Sequence, residues 1–562
     1  MATQRSEERV CAGLGLLQEA PLKFQTCLDV KHGGVLCGLP ALLAIGLLKR
    51  TRETLPWAKG YYPQESIFLA VAFMALAGVG SMEQLRYQSP GEWGKILGLD
   101  RLPEVKTLRE KIALLTSDPQ RSAQWSAALA RDWMATTDHP GFYYIDGHVR
   151  VYHGHLAKRP KSYVAREKLC LRATMDYWVN AMDGRPFFMV TQDVDQGLAQ
   201  TREQNLLPQL LADVPHQPTE QQLEQNPRWH RFVIVFDREG FVLDLFKRLE
   251  QKRIAVITYA KFPGKDWPVQ EFTDREVVLV NGEKAILSMA ERGTCLANDQ
   301  WVREVRHRDQ RGHQTSIYST DYVHGLDKVA AAMFARWCQE NFFKYMIQHY
   351  ALDRLVEYGS EPIPDTTLVV NPVWRKLENQ IRKERNLLKK EQAQFSATTL
   401  SAEHEGKKAA AYEIKKGQLL QSIAQRQTQL QQWVQERKLI PYHVPLKDIP
   451  ENERFTKLPS VAKHFVDTIK LVSYRAETAL VHIVREKMER EDDARALVRQ
   501  IFQSSINLIP NLENNTLTVQ IHPLTSQAHT QVLEHLCQEL TATETEYPRT
   551  NLKLVFECLS SG

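Results

Sequence analysis

Hydrophobic positions along the chain change their period three times. Residues 1 to about 139 carry helical spacing, with two uncharged stretches at 33–48 and 66–82. Each falls short of the ~20 apolar residues needed to cross a bilayer, so both are expected as buried helices rather than a membrane hairpin. From residue 141 the spacing is that of strands. "FYYIDGHVRVYHG" (142–154) alternates, and 168–190 reads as two strands joined at the turn Asp183-Gly184. A Gln- and Pro-rich connection (198–228) contains the short helix "NLLPQLLADV". Then "FVIVF" (232–236) is apolar without interruption, the mark of a strand buried on both faces. An amphipathic helix (241–253) and a second such strand, "IAVITYA" (254–260), complete a strand–helix–strand unit with parallel strands.

Residues 261–320 return to hairpin material, with turns at Asn281-Gly282 and Arg311-Gly312. One long helix is expected over 325–359. The segment 373–437 is rich in Lys, Glu and Gln with Leu at helical spacing, which predicts a helical hairpin or coiled-coil arm. The last ~120 residues alternate helices with strands such as "LTVQIHP" and "LKLVFECL". Three antiparallel strands followed by helix, strand, helix and strand over 142–260 match the RNase H-like order. The expected fold class is therefore α/β: an RNase H-like catalytic core (140–260 and 321–360), a mixed sheet flanked by helices, with a β-rich insertion (261–320). An N-terminal helical domain (1–139), a C-terminal helical arm (365–440) and a small α/β module (441–562) complete the division.

Composition narrows this little. At 562 residues, 43% apolar and 25% charged, the chain is long enough for several cores and too apolar for global disorder. Its net charge of +5 says little until charge is read locally. Residues 150–172 hold seven Lys/Arg against one Glu, and 375–390 hold seven against two acids. The stretch 90–115 reads as helix, break and basic helix (Lys106, Arg109, Lys111), a helix-turn-helix-like spacing that equally fits two core helices with solvated lysines. Eight scattered cysteines form neither a metal-ligand spacing nor a disulfide framework, which fits a reducing cytosol. The N-terminus lacks the basic-then-apolar pattern of a signal peptide. His153 and His155 share a strand face, but no third zinc ligand has usable spacing.

The candidate chemistry is carboxylate-based. Asp146 sits midway along the first strand and Asp237 at the carboxyl end of the next buried one, where open α/β sheets form their sites. Glu340 lies on the long helix in a stripe with Arg336 and Lys344, flanked by Trp337, Phe342 and Phe343. Three carboxylates so placed can hold two divalent ions for phosphodiester chemistry. The same helical stripe also fits a solvated ladder of charge pairs. A second Asp-Arg-Glu, at 274–276, precedes a hairpin strand and lacks the buried strand before it; Asp193 and Asp195 are rival carboxylates.

The succession "YYIDGH", "VIVFDREGF" and "ARWCQENFF" resembles the DDE transposases of bacterial insertion sequences. It is most similar to the cut-and-paste group with a β-rich insertion before the glutamate. That group has Asp-Arg-Glu at the second carboxylate and an Arg four residues before the glutamate, as Arg336 precedes Glu340. The spacings, 91 residues (146 to 237) and 103 residues (237 to 340), leave room for the insertion. Two positions depart from the pattern: Met333 stands where the family has Tyr, and Ile347 where it has Lys, with Lys344 nearest. The resemblance implies that Asp146, Asp237 and Glu340 hold two Mg²⁺ ions, with Mn²⁺ as substitute. Arg336, Trp337, Lys344 and Arg238 would contact DNA, joined by Lys158, Arg159 and Lys161 of the basic run. It further implies double-stranded DNA partners (element ends and target), a homodimer or larger synaptic complex, no membrane, and a nucleoid-associated place in a bacterial cytoplasm. An RNase H-like nuclease without strand transfer, or a non-catalytic DNA-binding protein derived from a transposase, uses the same features.

Overall fold

The computed structural model describes residues 5–164, 166–192, 205–238, 241–357, 359–397, 407–524 and 526–559. Asp193, Asp195 and Glu239 lie outside them. After a short strand β1 (Cys27–Val30), the chain forms β2 (Phe142–Val151), β3 (Lys161–Val164), β4 (Leu169–Asn180), β5 (Pro186–Gln192), β6 (Val233–Phe236) and β7 (Ala255–Tyr259). Then follow β8 (Thr273–Val278), β9 (Lys284–Cys295), β10 (Trp301–Arg308) and β11 (Gln314–Ser319).

Strands β2 to β11 make one mixed sheet of ten strands. The apolar run at 232–236 becomes β6 in its interior, and Val233–Phe236 are buried on both faces. It pairs in parallel with β2 on one side and β7 on the other. Strand β4 runs antiparallel to β2 and carries β5 on its far edge, joined through the Asp183-Gly184 turn as expected. Strand β3, which the sequence did not single out, pairs with the other half of that edge.

The hairpin material at 261–320 continues this same sheet, because β11 lies antiparallel against β7 with Ile317 opposite Tyr259. Hairpins β8–β9 and β10–β11 close at the two predicted Gly turns. The second Asp-Arg-Glu lies inside β8 with its side chains exposed, not ahead of a strand.

The helix expected over 325–359 is two segments, Leu326–Phe334 and Trp337–Tyr350. The second ends at Ala351, whose φ of 48° is left-handed and stops the helix. Beyond it, Lys463 and Lys470 donate to the carbonyls of Leu352 and Ala351, satisfying groups that a continuing helix would have used.

Both donors belong to the buried helix Val461–Arg485, which we call the support helix. It packs on the helix Gln64–Leu76, which takes in the first part of the uncharged stretch 66–82 and is buried at every residue. Ser126 meets Thr468 at 3.1 Å, and the Tyr547 hydroxyl donates to the Ile96 carbonyl at 3.0 Å. A further joint is β1, which pairs with Ile506–Asn511 to open a four-stranded sheet completed by Thr516–Ile521 and Lys553–Cys558. The two ends of the chain thus share one apolar core.

Residues 372–439 form the expected helical hairpin, Pro372–Ala397 against Lys407–Leu439. Among the described residues no helix is long and apolar enough to cross a membrane, and all eight cysteines are unpaired.

Candidate active site

Register brings the first two carboxylates together. Ile145 of β2 lies level with Phe236 of β6, and the next step along the parallel pair is Asp146 beside Asp237. Both strands are anchored by apolar neighbours, so these positions are fixed by the sheet rather than by a loop. The Thr258 hydroxyl of β7 donates to the Asp237 carbonyl at 3.3 Å, and the Asp237 carboxylate accepts the Arg238 backbone N–H at 2.6 Å.

Glu340 comes from the first turn of the helix Trp337–Tyr350, the glutamate helix. That helix buries Phe342, Met346 and Tyr350, with the Phe342 ring 5.5 Å from that of Trp178 on β4. Gln339, fully buried, donates to the Ala181 carbonyl at 3.2 Å. The predicted turn helps seat it. Gly184 has a φ of +86°, and a Cβ there would stand 2.8 Å from the Cys338 carbonyl oxygen. Glycine therefore serves the turn and the close approach of the helix together. On the underside, the hydroxyls of Tyr345 and Tyr350 both donate to the buried Glu477 of the support helix, which Arg495 approaches at 3.3 Å.

The three carboxylates converge on one guanidinium. Arg336 donates to Glu340 at 2.8 Å and stands 3.5 Å from Asp146 and 3.5 Å from Asp237. Side-chain exposure rises from 24% at Asp146 to 42% at Asp237 and 48% at Glu340, so the group opens to solvent on one side. Burial pushes the Asp146 carboxyl up to about 6; Arg336 opposes the rise, while Asp237 and Glu340 add to it. Burial also raises the Tyr259 hydroxyl on the neighbouring strand, with Asp237 and Glu340 contributing. When all three carboxylates are ionised, the single Arg leaves a surplus of two negative charges. An all-oxygen donor set with that surplus suits a hard divalent cation. The carboxylates stand around Arg336 rather than closing on a single point.

The other predicted residues divide. Arg238 is exposed beside the Tyr259 ring at 5.6 Å, Trp337 is 65% exposed, and Lys344 is exposed one turn beyond Glu340. Trp337 and Lys344 share a face of the helix with Glu340 by their spacing of three and four residues. Lys158 and Lys161 are exposed in the basic run. Arg159 lies beneath that surface, buried at 4% exposure and donating to the Thr456 carbonyl at 3.2 Å, because the segment folds against residues 456–458. Around 90–115 two helices form, Pro90–Ile96 and Val105–Leu115. Lys106 projects into solvent, whereas Arg109 pairs with Glu83 and Lys111 covers the Trp57 ring at 4.5 Å.

The arm sorts its charges by partner. Glu378 and Glu384 of the first helix turn toward the second and pair with Arg437 and Arg426. All seven Lys/Arg of 375–390 remain exposed. Sequence reading found the three carboxylates but missed Arg336 as their common contact; the signal was its position one turn before Glu340.

Residues 1–560 match the model of a family described as "Transposase protein". No curated protein matches the chain.

Proposed function

The chain belongs to this transposase family, and we propose that it is a DDE-type transposase whose site is Asp146, Asp237 and Glu340. The observation that carries the reading is the meeting of these carboxylates, distant in sequence, around Arg336, at the carboxyl end of β6 where its parallel pairing with β2 stops. The sheet order β5-β4-β2-β6-β7, antiparallel on one side of β2 and parallel on the other, supports an RNase H-like core with β8–β11 as its insertion.

In this reading Asp146, Asp237 and Glu340 hold two Mg²⁺ ions, for which Mn²⁺ can substitute. Ions bound there would supply the Lewis acidity that activates water or a 3′-hydroxyl and offsets charge on the leaving oxygen of a phosphodiester. Asp146 and Asp237 set the spacing through the sheet, and Glu340 covers it from the helix. Arg336 neutralises part of the carboxylate charge and so keeps the group assembled. Arg238, Trp337 and Lys344 line the open side where a DNA strand would lie, and the basic surface of the arm would follow its phosphates. Element ends and target DNA are the substrates, bound by a homodimer or larger synaptic assembly in the bacterial cytoplasm.

The test is nicking and strand transfer on DNA carrying the element ends, with Mg²⁺, by wild type, Asp237→Asn and Glu340→Gln. Both variants are expected to bind the ends like wild type and to lose at least about a thousandfold in cleavage. Cleavage at the wild-type rate by either variant would overturn the assignment.

A further inference from the structure

At the opposite end of β6 from Asp237, three side chains form a second group with metal-ligand chemistry. His230 lies three residues before the strand begins, and Asp321 and His324 lie in the turn between β11 and the helix Leu326–Phe334. Their ligand atoms all lie within 4.8 Å of one another, and among the described residues this is the group that meets that condition. The His230 Nδ1 is 3.9 Å from one Asp321 oxygen, and the His324 Nδ1 is 2.7 Å from the other.

Asp321 is fully buried. Its carboxylate meets the His324 Nδ1 and accepts the backbone N–H groups of Val323 at 2.9 Å and of His324 at 3.1 Å. Among the described residues no Lys or Arg side chain pairs with the carboxylate itself. Arg303 donates instead to the main-chain carbonyls of Asp321 and His324, which fixes the turn and leaves the carboxylate to the two imidazoles. The His230 Nδ1 is buried and without a hydrogen-bond partner, so that ring has a nitrogen to give to a ligand. A buried carboxylate 3.9 Å from an imidazole nitrogen without a partner is what a cation between them would resolve.

We propose that His230, Asp321 and His324 bind one divalent transition ion of the Zn²⁺ class. Two imidazoles and one carboxylate favour Zn²⁺ over Mg²⁺, whose preferred ligands are all oxygen. On binding, the proton that the His324 Nδ1 shares with Asp321 passes by way of solvent to the Nε2 of the same ring, so the imidazole stays neutral and ligates through Nδ1. The remaining coordination position faces a cavity of about 730 Å³, lined by Trp229, Glu250, Arg303 and Tyr322 beside the two histidines, where water completes the set. The ion would tie the entry of β6 to the turn through which the insertion returns to the helix that leads to Arg336 and Glu340. It is a clamp on the fold, separate from the carboxylate site.

The experiment uses untagged full-length Asp146→Asn/Asp237→Asn/Glu340→Gln protein, so that the carboxylate site cannot supply the signal. After chelation and desalting it is titrated with Zn²⁺ by calorimetry, and with Co²⁺ by visible absorption. One equivalent of saturable binding is expected, with Co²⁺ bands of four-coordinate intensity and a higher melting temperature. Adding His230→Gln should weaken binding by more than the about 10–100-fold typical of an outer-shell partner, with the fold unchanged by circular dichroism. His230 is the informative position, because its Nδ1 has no partner to lose. Absence of saturable binding, or an affinity in the His230→Gln or His324→Gln protein equal to that of the parent, would overturn the proposal. Neither result depends on DNA cleavage.

Discussion

Arg336, at the head of the glutamate helix, reaches Asp146 on β2 at 3.5 Å and is the cation that restrains a carboxyl pushed up to about 6. Asp146 has a folded pKa above its unfolded value near 3.8. The folded protein therefore holds a proton between pH 4 and 6 that the unfolded chain has released, and stability falls as pH rises through that window. In metal-free protein, urea denaturation should trace this fall, and Asp146→Asn should flatten it. At pH 7 the Asn variant should be more stable, by at most about 3 kcal/mol and less because a quarter of the side chain is solvated. Arg336→Met should move the window to higher pH. Identical pH profiles for wild type and Asp146→Asn would sink this account.

The same logic explains which features the sequence revealed. Asp237 was legible because a five-residue run of β-branched and aromatic residues between two charges is too short for a helix and fits a buried strand, whose end is a fixed point. The turns at Asp183-Gly184, Asn281-Gly282 and Arg311-Gly312 were legible because their backbone needs are local. The pairing of Cys27–Val30 with Ile506–Asn511 was not, since a four-residue strand has no readable period and its partner lies at the other end of the chain. His230 and Asp321 were missed for the same reason: they stand 91 residues apart (230 to 321), and only the β7–β11 pairing closes that distance. Lys463, Asp467 and Glu477 look like the solvated face of an amphipathic helix, yet the support helix buries them all because every side of it meets another element.

Glu477 is the most exacting of these buried charges. It accepts from the hydroxyls of Tyr345 and Tyr350 beneath the glutamate helix, with Arg495 at 3.3 Å. Glu477→Ala leaves two hydroxyls and a guanidinium without their acceptor and should cost about 3–5 kcal/mol in thermal or chemical denaturation. Glu477→Gln retains one acceptor oxygen and should cost less. An alanine variant as stable as wild type would mean that the group is hydrated rather than dry.

The end of the glutamate helix offers a change of opposite sign. Ala351 holds φ at 48°, a conformation that costs a residue with a Cβ about 1–2 kcal/mol. Ala351→Gly removes that cost and adds some chain entropy to the unfolded state, for a net gain of about 1 kcal/mol. A raised melting temperature in Ala351→Gly, set against a lowered one in Ala351→Val, checks it.

The arm makes an electrostatic prediction with its own control. Glu378, Glu384 and Glu391 of its first helix pair across the hairpin with Arg437 and Arg426, and among the described residues no ion pair falls on the exposed Lys383, Lys389 and Lys390. If they lie on DNA phosphates, the slope of log affinity against log salt should fall by about 0.9 for each contact removed. Lys383→Ala/Lys389→Ala/Lys390→Ala should therefore lower the slope by up to about 2.7 and weaken binding alike on specific and unrelated DNA. Its melting temperature should hardly change, since exposed substitutions stay within about 0.5 kcal/mol. Arg426→Ala is the converse. That side chain bridges Glu384 and Glu391 across the hairpin, so its loss should loosen the arm and leave the salt slope nearly intact. An unchanged slope in the triple-lysine variant would remove the arm from the DNA path, whatever its effect on stability.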